Sequence, residues 1–266
     1  MSKDTKVFIC FAAEDRYSIA EPIVYHLKNY GIHMWYDRQA LLMGDNRKEK
    51  NLNEGANECE YTIAIISKNT IDSPCTMEEL SIIKRRSLLN DVVVFPVLYE
   101  FLPEDIPFEL QWIKELIFKE TDRHSGTRDI CNHIACKITG DFLKDKEYKT
   151  IKDIINTKIQ ELPIVTYEIL YKYQMVDTEN LNSRVSLLYA TYLTLSKCGK
   201  IKENNITYLV SKIFDRLFSE TRLNIDVDYR ELWLLENSTC LLINCYLSSC
   251  TESKISTINF DNNSGR

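Results

Sequence analysis

The sequence predicts an α/β domain built on a parallel five-stranded sheet, followed by an all-helical domain. Three observations carry this prediction. Over the first half, short apolar runs alternate with segments of helical period, the pattern of a parallel sheet covered by helices on both faces. After Gly140 strand patterns stop and only helical periodicity remains. At 266 residues with 44% apolar content, the chain is long enough for two packed cores.

Val7–Phe11 is a short apolar run suited to a buried strand. Apolar residues at Ile19, Ile23, Leu27 and Tyr30 make Ser18–Tyr30 a helix, and Gly31 stops it. Ile32–Tyr36 reads as the second strand, the polar stretch Asn46–Asn57 as a helix, and isoleucine-rich Tyr61–Ser67 as the third strand. A helix over Met77–Leu89 follows, then Val92–Leu98, the most strand-like segment of all. Leu116–Lys119 is a short fifth strand, and Thr127–Ile138 a helix that Gly140 closes.

Beyond Gly140, one helical stripe joins Tyr148, Ile151, Ile155, Ile159 and Leu162. Leu181, Val185, Leu188, Tyr192 and Leu195 make a second, and Ile206, Val210, Ile213 and Leu217 a third. The Leu232 region makes a fourth. Pro163, Cys198-Gly199 and Asn224 separate them, as expected of a helical bundle. The expected boundaries are 1–143 for the α/β domain, 144–252 for the helical domain and 253–266 for a polar, disordered tail.

A net charge of −6 argues against a surface built to neutralise nucleic-acid phosphates. Lys84-Arg85-Arg86 is a local basic run, read more readily as a solvated helix face. The nine cysteines include no Cys-x-x-Cys pair, and Met1–Lys6 leads straight into a strand, so a reducing, cytoplasmic setting is expected. Cys131, His133 and Cys136 invite a metal, but positions five apart on a helix diverge by more than about 100°, so none is expected. The longest apolar stretch, Leu232–Leu247, is broken by Glu236, Asn237 and Ser238, too short and interrupted for a membrane span.

Three segments carry more specific information. Val7-Phe-Ile-Cys-Phe-Ala-Ala-Glu-Asp15 is a hydrophobic strand ending in an aromatic, small residues and an acid. Gly31-Ile-His-Met-Trp-Tyr-Asp37 precedes Leu42-Met-Gly44-Asp45, and Ser73-Pro-Cys-Thr-Met-Glu-Glu-Leu80 opens a helix. In a doubly wound sheet all three leave the carboxyl ends of strands, where ligands gather. Together they resemble the motifs of the TIR (Toll/interleukin-1 receptor) family over about residues 5–140, in its bacterial, NAD-cleaving form with an added helical domain. The resemblance implies a flavodoxin-like sheet.

Aligning Ser73 and Leu80 with that family's pattern puts Glu79 at its catalytic glutamate; adjacent Glu78 points about 100° away on a helix. The plain alternative is that both acids stabilise a helix N-terminus. The resemblance implies NAD+ as a substrate rather than a bound cofactor, with Phe11, Ala12, Arg16, Asp37, Leu42, Gly44, Ser67, Ser73 and Cys75 about it. Arg16 suits a pyrophosphate or a solvated first turn equally, and Asp37 a ribose or a loop anchor. Cys75 stands where many members have tryptophan; Trp35 reads as core rather than as its replacement. No Gly-x-Gly-x-x-Gly follows the first strand. The expected activity is NAD+ hydrolysis or cyclisation in anti-viral defence. Self-association through both domains and a downstream effector protein are the expected partners. The alternative is a non-catalytic adaptor acting through TIR–TIR contacts, for which the Leu42–Asp45 loop is the surface.

Overall fold

Five parallel strands, β1 (Val7–Cys10), β2 (Met34–Trp35), β3 (Tyr61–Ile66), β4 (Val93–Tyr99) and β5 (Lys119–Thr121), form one sheet in the order β2-β1-β3-β4-β5. That is the 2-1-3-4-5 order of flavodoxin-like folds, with β1 and β3 on either side of the switch point. The computed structural model describes residues 7–37, 41–144, 148–157, 159–198, 201, 203–222 and 227–261. Contacts divide the chain into two units, 1–134 and 135–266.

In the first unit, every residue of β1 and β3 is buried, which is why these strands read as unbroken apolar runs. β1 registers Val7 on Met34 and on Tyr61, and β3 registers Tyr61 on Val93. Pro96 is tolerated in β4 because β5 pairs only from Val97, which leaves Pro96 with one strand neighbour among the described residues.

Helices α1 (Glu21–Asn29), α2 (Arg47–Lys50), α3 (Lys68–Asp72), α4 (Pro74–Leu88) and α5 (Arg128–Lys144) connect and follow the strands. A wide π-type turn, Arg16–Ala20, leads into α1, and Gly31 at φ 75° ends it as expected. A second such turn, Asn51–Ala56, continues α2. Gly55 in it lies flat on Phe8: a Cβ there would meet the ring at 2.5 Å.

Several sequence expectations need correction here. The fifth strand is Lys119–Thr121, not Leu116–Lys119, because Phe108–Glu115 coils as 3-10 turns and Leu116 closes the last one onto Ile113. The helix expected to end before Gly140 runs on to Lys144. A Cβ at Gly140 would lie 3.4 Å from the Trp233 ring, an ordinary van der Waals contact. Arg86 is also more than a solvated face: its guanidinium donates to the carbonyls of Ala56, Cys59 and Asp91 and clasps those turns to α4.

The second unit holds α6 (Ile151–Thr157), α7 (Ile164–Met175), α8 (Leu181–Lys197), α9 (Asn205–Arg222) and α10 (Tyr229–Asp261). α8 packs against α7 and α10, α9 against α10, and α6 against α7. The stripe expected over Tyr148–Leu162 is a helix only at Ile151–Thr157, and α7 follows Pro163 unannounced by periodicity. Its buried positions include Thr166, which breaks the apolar pattern. α10 continues past Thr251, where the sequence turns polar, to Asp261. Leu232, Leu234 and Leu235 are buried while Trp233 is 45% exposed, and Ser238 and Thr239 satisfy their hydroxyls on the carbonyls four residues earlier. Among the described residues, no helix is long and apolar enough to cross a membrane.

Candidate active site

Glu79 sits in the second turn of α4, whose first turn is set by Pro74 and capped by Ser73. The Ser73 hydroxyl accepts from Thr76 N at 3.4 Å and lies 2.8 Å from Thr76 Oγ1. Ser73 therefore works as a helix cap. Thr76 in turn donates to the Phe11 carbonyl at 3.4 Å, tying α4 to the carboxyl end of β1. This anchor carries Glu79 to Cys10, the last residue of β1.

The Glu79 carboxylate is only 7% exposed, whereas Glu78 is half-buried. Asn51 Nδ2 donates to Glu79 Oε1 at 3.0 Å. Asn51 Oδ1 is buried too, and it has no hydrogen-bond partner among the described residues. Burial pushes the Cys10 thiol well above its ordinary value, and the neighbouring Glu79 carboxylate pushes it further up by charge and by hydrogen bonding. A neutral thiol and an amide donor thus flank one buried carboxylate.

Two networks lock the surrounding loops together. Arg16 forms a bidentate pair with Asp37, at 2.9 and 2.8 Å, and donates to the Tyr36 hydroxyl at 2.7 Å. Its guanidinium lies 5.1 Å from the Phe11 ring and 5.4 Å from that of Tyr36. The Asp37 hydrogen bonds are the main reason that the Arg16 pKa is raised. Asp15, 2% exposed, accepts from the Ser67 hydroxyl and from Asn69 Nδ2 at 2.7 Å, while Ser67 caps α3. The ends of β1, β2 and β3 are therefore stitched on one edge of the sheet.

Of the sequence-derived candidates, Phe11, Arg16 and Asp37 form one cluster. Ala12 and Ser67 are buried beside it on the same connections. Arg16 engages Asp37 through both Nη1 and Nη2, and Tyr36 through Nη1. Leu42 and Gly44 stand on an exposed loop, closed where Asp45 accepts from Leu42 N at 2.8 Å and pairs with Lys50 at 2.9 Å. Cys75 is exposed. Trp35 is core: it packs edge-on to Phe8 at 5.6 Å and donates to Glu54 at 3.4 Å. The Cys131 thiol turns to the Ile23 carbonyl and the Cys136 thiol to that of Arg230. Sequence reasoning passed over Asn51, Cys10 and the role of Asp15. Asp15 alone had a signal, as the acid that closes the first motif.

The family profile described as TIR domain matches residues 7–129. That segment belongs to the TIR family. The chain is 26% identical over 129 residues to the NAD(+) hydrolase TcpC of Escherichia coli O6:H1, an alignment covering 48% of this chain and 41% of that protein. It is 28% identical over 105 residues to the 2′ cyclic ADP-D-ribose synthase BtTIR of Bacteroides thetaiotaomicron, covering 40% of this chain and 36% of the other. A third relative, the NAD(+) hydrolase TcpA of Theionarchaea archaeon, is 27% identical over 100 residues, 38% of this chain and 30% of its own. The chain thus spans well under half the length of these relatives.

Proposed function

We propose that the TIR domain cleaves the bond between nicotinamide and ribose in NAD+, with Glu79 as the catalytic carboxylate. The observation that carries this reading is the buried Glu79 carboxylate, held by Asn51 at 3.0 Å beside Cys10 at the carboxyl end of β1. The names of the relatives, two hydrolases of NAD+ and one cyclic ADP-ribose synthase, support the same chemistry.

One carboxylate suffices for this reaction. As the C1′–N bond breaks, its electron pair returns to the pyridinium nitrogen, and nicotinamide leaves neutral without needing a proton. Positive charge gathers on the ribose as an oxocarbenium-like centre. A pre-positioned carboxylate in a dry site stabilises that charge without reorganising. Water then adds at C1′ and loses a proton to give ADP-ribose, or a nucleophile of the same molecule closes a cyclic product. A role in anti-viral defence rests on the family resemblance.

The test is Glu79→Gln beside Glu78→Gln, with NAD+ turnover followed by mass spectrometry. Loss of product in Glu79→Gln alone, with unchanged circular dichroism, is the expected result. Parent-rate turnover by Glu79→Gln overturns the reading.

One observation also favours assembly through this domain. Leu42 is 77% exposed and Met43 fully so, two adjacent apolar side chains held out on the loop that Asp45 closes. Self-association through that loop serves either catalysis or scaffolding. Leu42→Ser with Met43→Ser is expected to lower the mass seen by light scattering. Unchanged mass removes the loop from the contact.

A further inference from the structure

The helical unit contains a cavity of about 390 Å³ whose walls come from α6, α7, α8 and α10 and the segment before α6. That volume lies in the range of about 300–1,000 Å³ typical of small-molecule sites. We infer that this cavity binds a small molecule that joins a planar ring to an anionic group such as a phosphate or carboxylate.

Its floor is apolar: Ile151, Ile155 and Cys240 line it and are almost wholly buried. A void left by imperfect packing is apolar throughout and stays dry. This one has a built polar wall. Arg184 Nη2 donates to Glu236 at 2.9 Å and to the Tyr173 hydroxyl at 2.6 Å, and its guanidinium lies 4.3 Å from the Tyr173 ring. Tyr173 donates to the same carboxylate, so the three side chains hold one another in place.

Among the described residues, the hydrogen bonds of Arg184 run through Nη2, its buried Nε has no partner, and Nη1 has no acceptor. A guanidinium has five donors in a rigid plane, and a carboxylate or phosphate is the acceptor that suits it. Lys152 adds a second cation against the single carboxylate of Glu236, so the lining carries a net positive charge. An anion is the charge this wall accepts.

Trp233 gives the other half of the specificity. It lies between buried neighbours on α10, yet its indole is 45% exposed and lines the cavity. A large aromatic face left open beside a cationic wall suits a planar ring that stacks while its anionic group reaches Arg184. The site lies wholly within residues 148–240 and is independent of the reading of Glu79.

The experiment uses the full chain labelled with ¹⁵N at the indoles of Trp35, Trp112 and Trp233, the Trp233 resonance being assigned by its loss in Trp233→Phe. The probe is 1-naphthyl phosphate, with 1-naphthol and inorganic phosphate as controls. A saturable shift confined to Trp233 is expected, with 1-naphthol at least about tenfold weaker because it lacks the anion. Lys152→Gln, a change at an exposed position, is expected to weaken binding severalfold, and Arg184→Lys to weaken it more. Absence of a saturable Trp233 shift at millimolar probe overturns the inference. So does equal binding of 1-naphthol, or affinity unchanged in both variants.

Discussion

Asn51 and Glu79 meet through one hydrogen bond of 3.0 Å, from the turn Asn51–Ala56 to the helix α4 packed against it. The bond fixes the carboxylate at the oxygen that receives it. A hydrogen bond to a charged group contributes about 1.5–3 kcal/mol, which corresponds to about 10- to 160-fold in rate if it is needed in the transition state. Asn51→Ala is therefore expected to lower kcat for NAD+ cleavage by that factor, and to lower the melting temperature as well because it leaves the buried Glu79 oxygen without this donor. Asn51→Asp sets a second carboxylate against the first and is expected to be less active still. Steady-state kinetics of the two variants decide it; a parent-like kcat in Asn51→Ala separates Asn51 from the chemistry.

Arg16 and Asp37 bear on a choice that the sequence left open between ligand binding and support. Both side chains are largely buried and pair in bidentate fashion, with Tyr36 on a third donor. Removing one partner of such a pair leaves an uncompensated charge and costs about 3 kcal/mol or more. Arg16→Ala is expected to lower the melting temperature by several degrees, and Asp37→Asn to do likewise. A residue that contacted only pyrophosphate would raise KM and leave the melting temperature alone. Thermal denaturation beside kinetics separates the two roles.

The buried strands were legible in the sequence because both faces are covered, so β1, β3 and β4 read as plain apolar runs. β2 and β5, of two and three residues, are too short for a pattern to outweigh their context. Gly140 read as a stop, yet it lies inside α5, which runs on to Lys144. The same limit applies at the site. Glu79, Arg16 and Asp37 stood out in the motifs, but Arg16 and Asp37 are 21 residues apart and only folding makes them a pair. Asn51 lies in a polar stretch that carries no mark of its position beside Glu79.

Alkaline pH offers a test of the packing around the thiols. Burial pushes Cys136 and Cys240 each up to about 12 from an ordinary 9.0, and raises Cys131 as well. The folded state therefore keeps protons that the unfolded chain releases above about pH 9. Stability is complete below that pH and falls between about 9 and 12, by about 1.4 kcal/mol per pH unit for each thiol so held. Urea denaturation at about pH 8 and about pH 10.5 is expected to show the loss, and Cys136→Ala with Cys240→Ala to reduce it. Equal slopes in parent and double variant would place the alkaline sensitivity elsewhere.

Gly55 links the core to the proposed chemistry. The turn Asn51–Ala56 that presents Asn51 to Glu79 rests on Phe8, a β1 residue only 1% exposed. A Cβ at Gly55 would lie 2.5 Å from Phe8 Cε2 and 2.7 Å from Cδ2, closer than carbon atoms approach. The Phe8 ring cannot swing away, since Trp35 closes on it at 5.6 Å. The turn must move instead, and Asn51 moves with it. Overpacking of this kind costs about 1–3 kcal/mol. Gly55→Ala is accordingly expected to lower both stability and kcat, whereas Gly140→Ala, with 3.4 Å of room and a helical position, is expected to gain about 0.5–1 kcal/mol and leave kcat unchanged. Adding Phe8→Leu to Gly55→Ala removes ring atoms from the contact and is expected to restore part of the activity. If Gly55→Ala alone keeps full activity despite a lower melting temperature, the position of the turn does not govern Glu79.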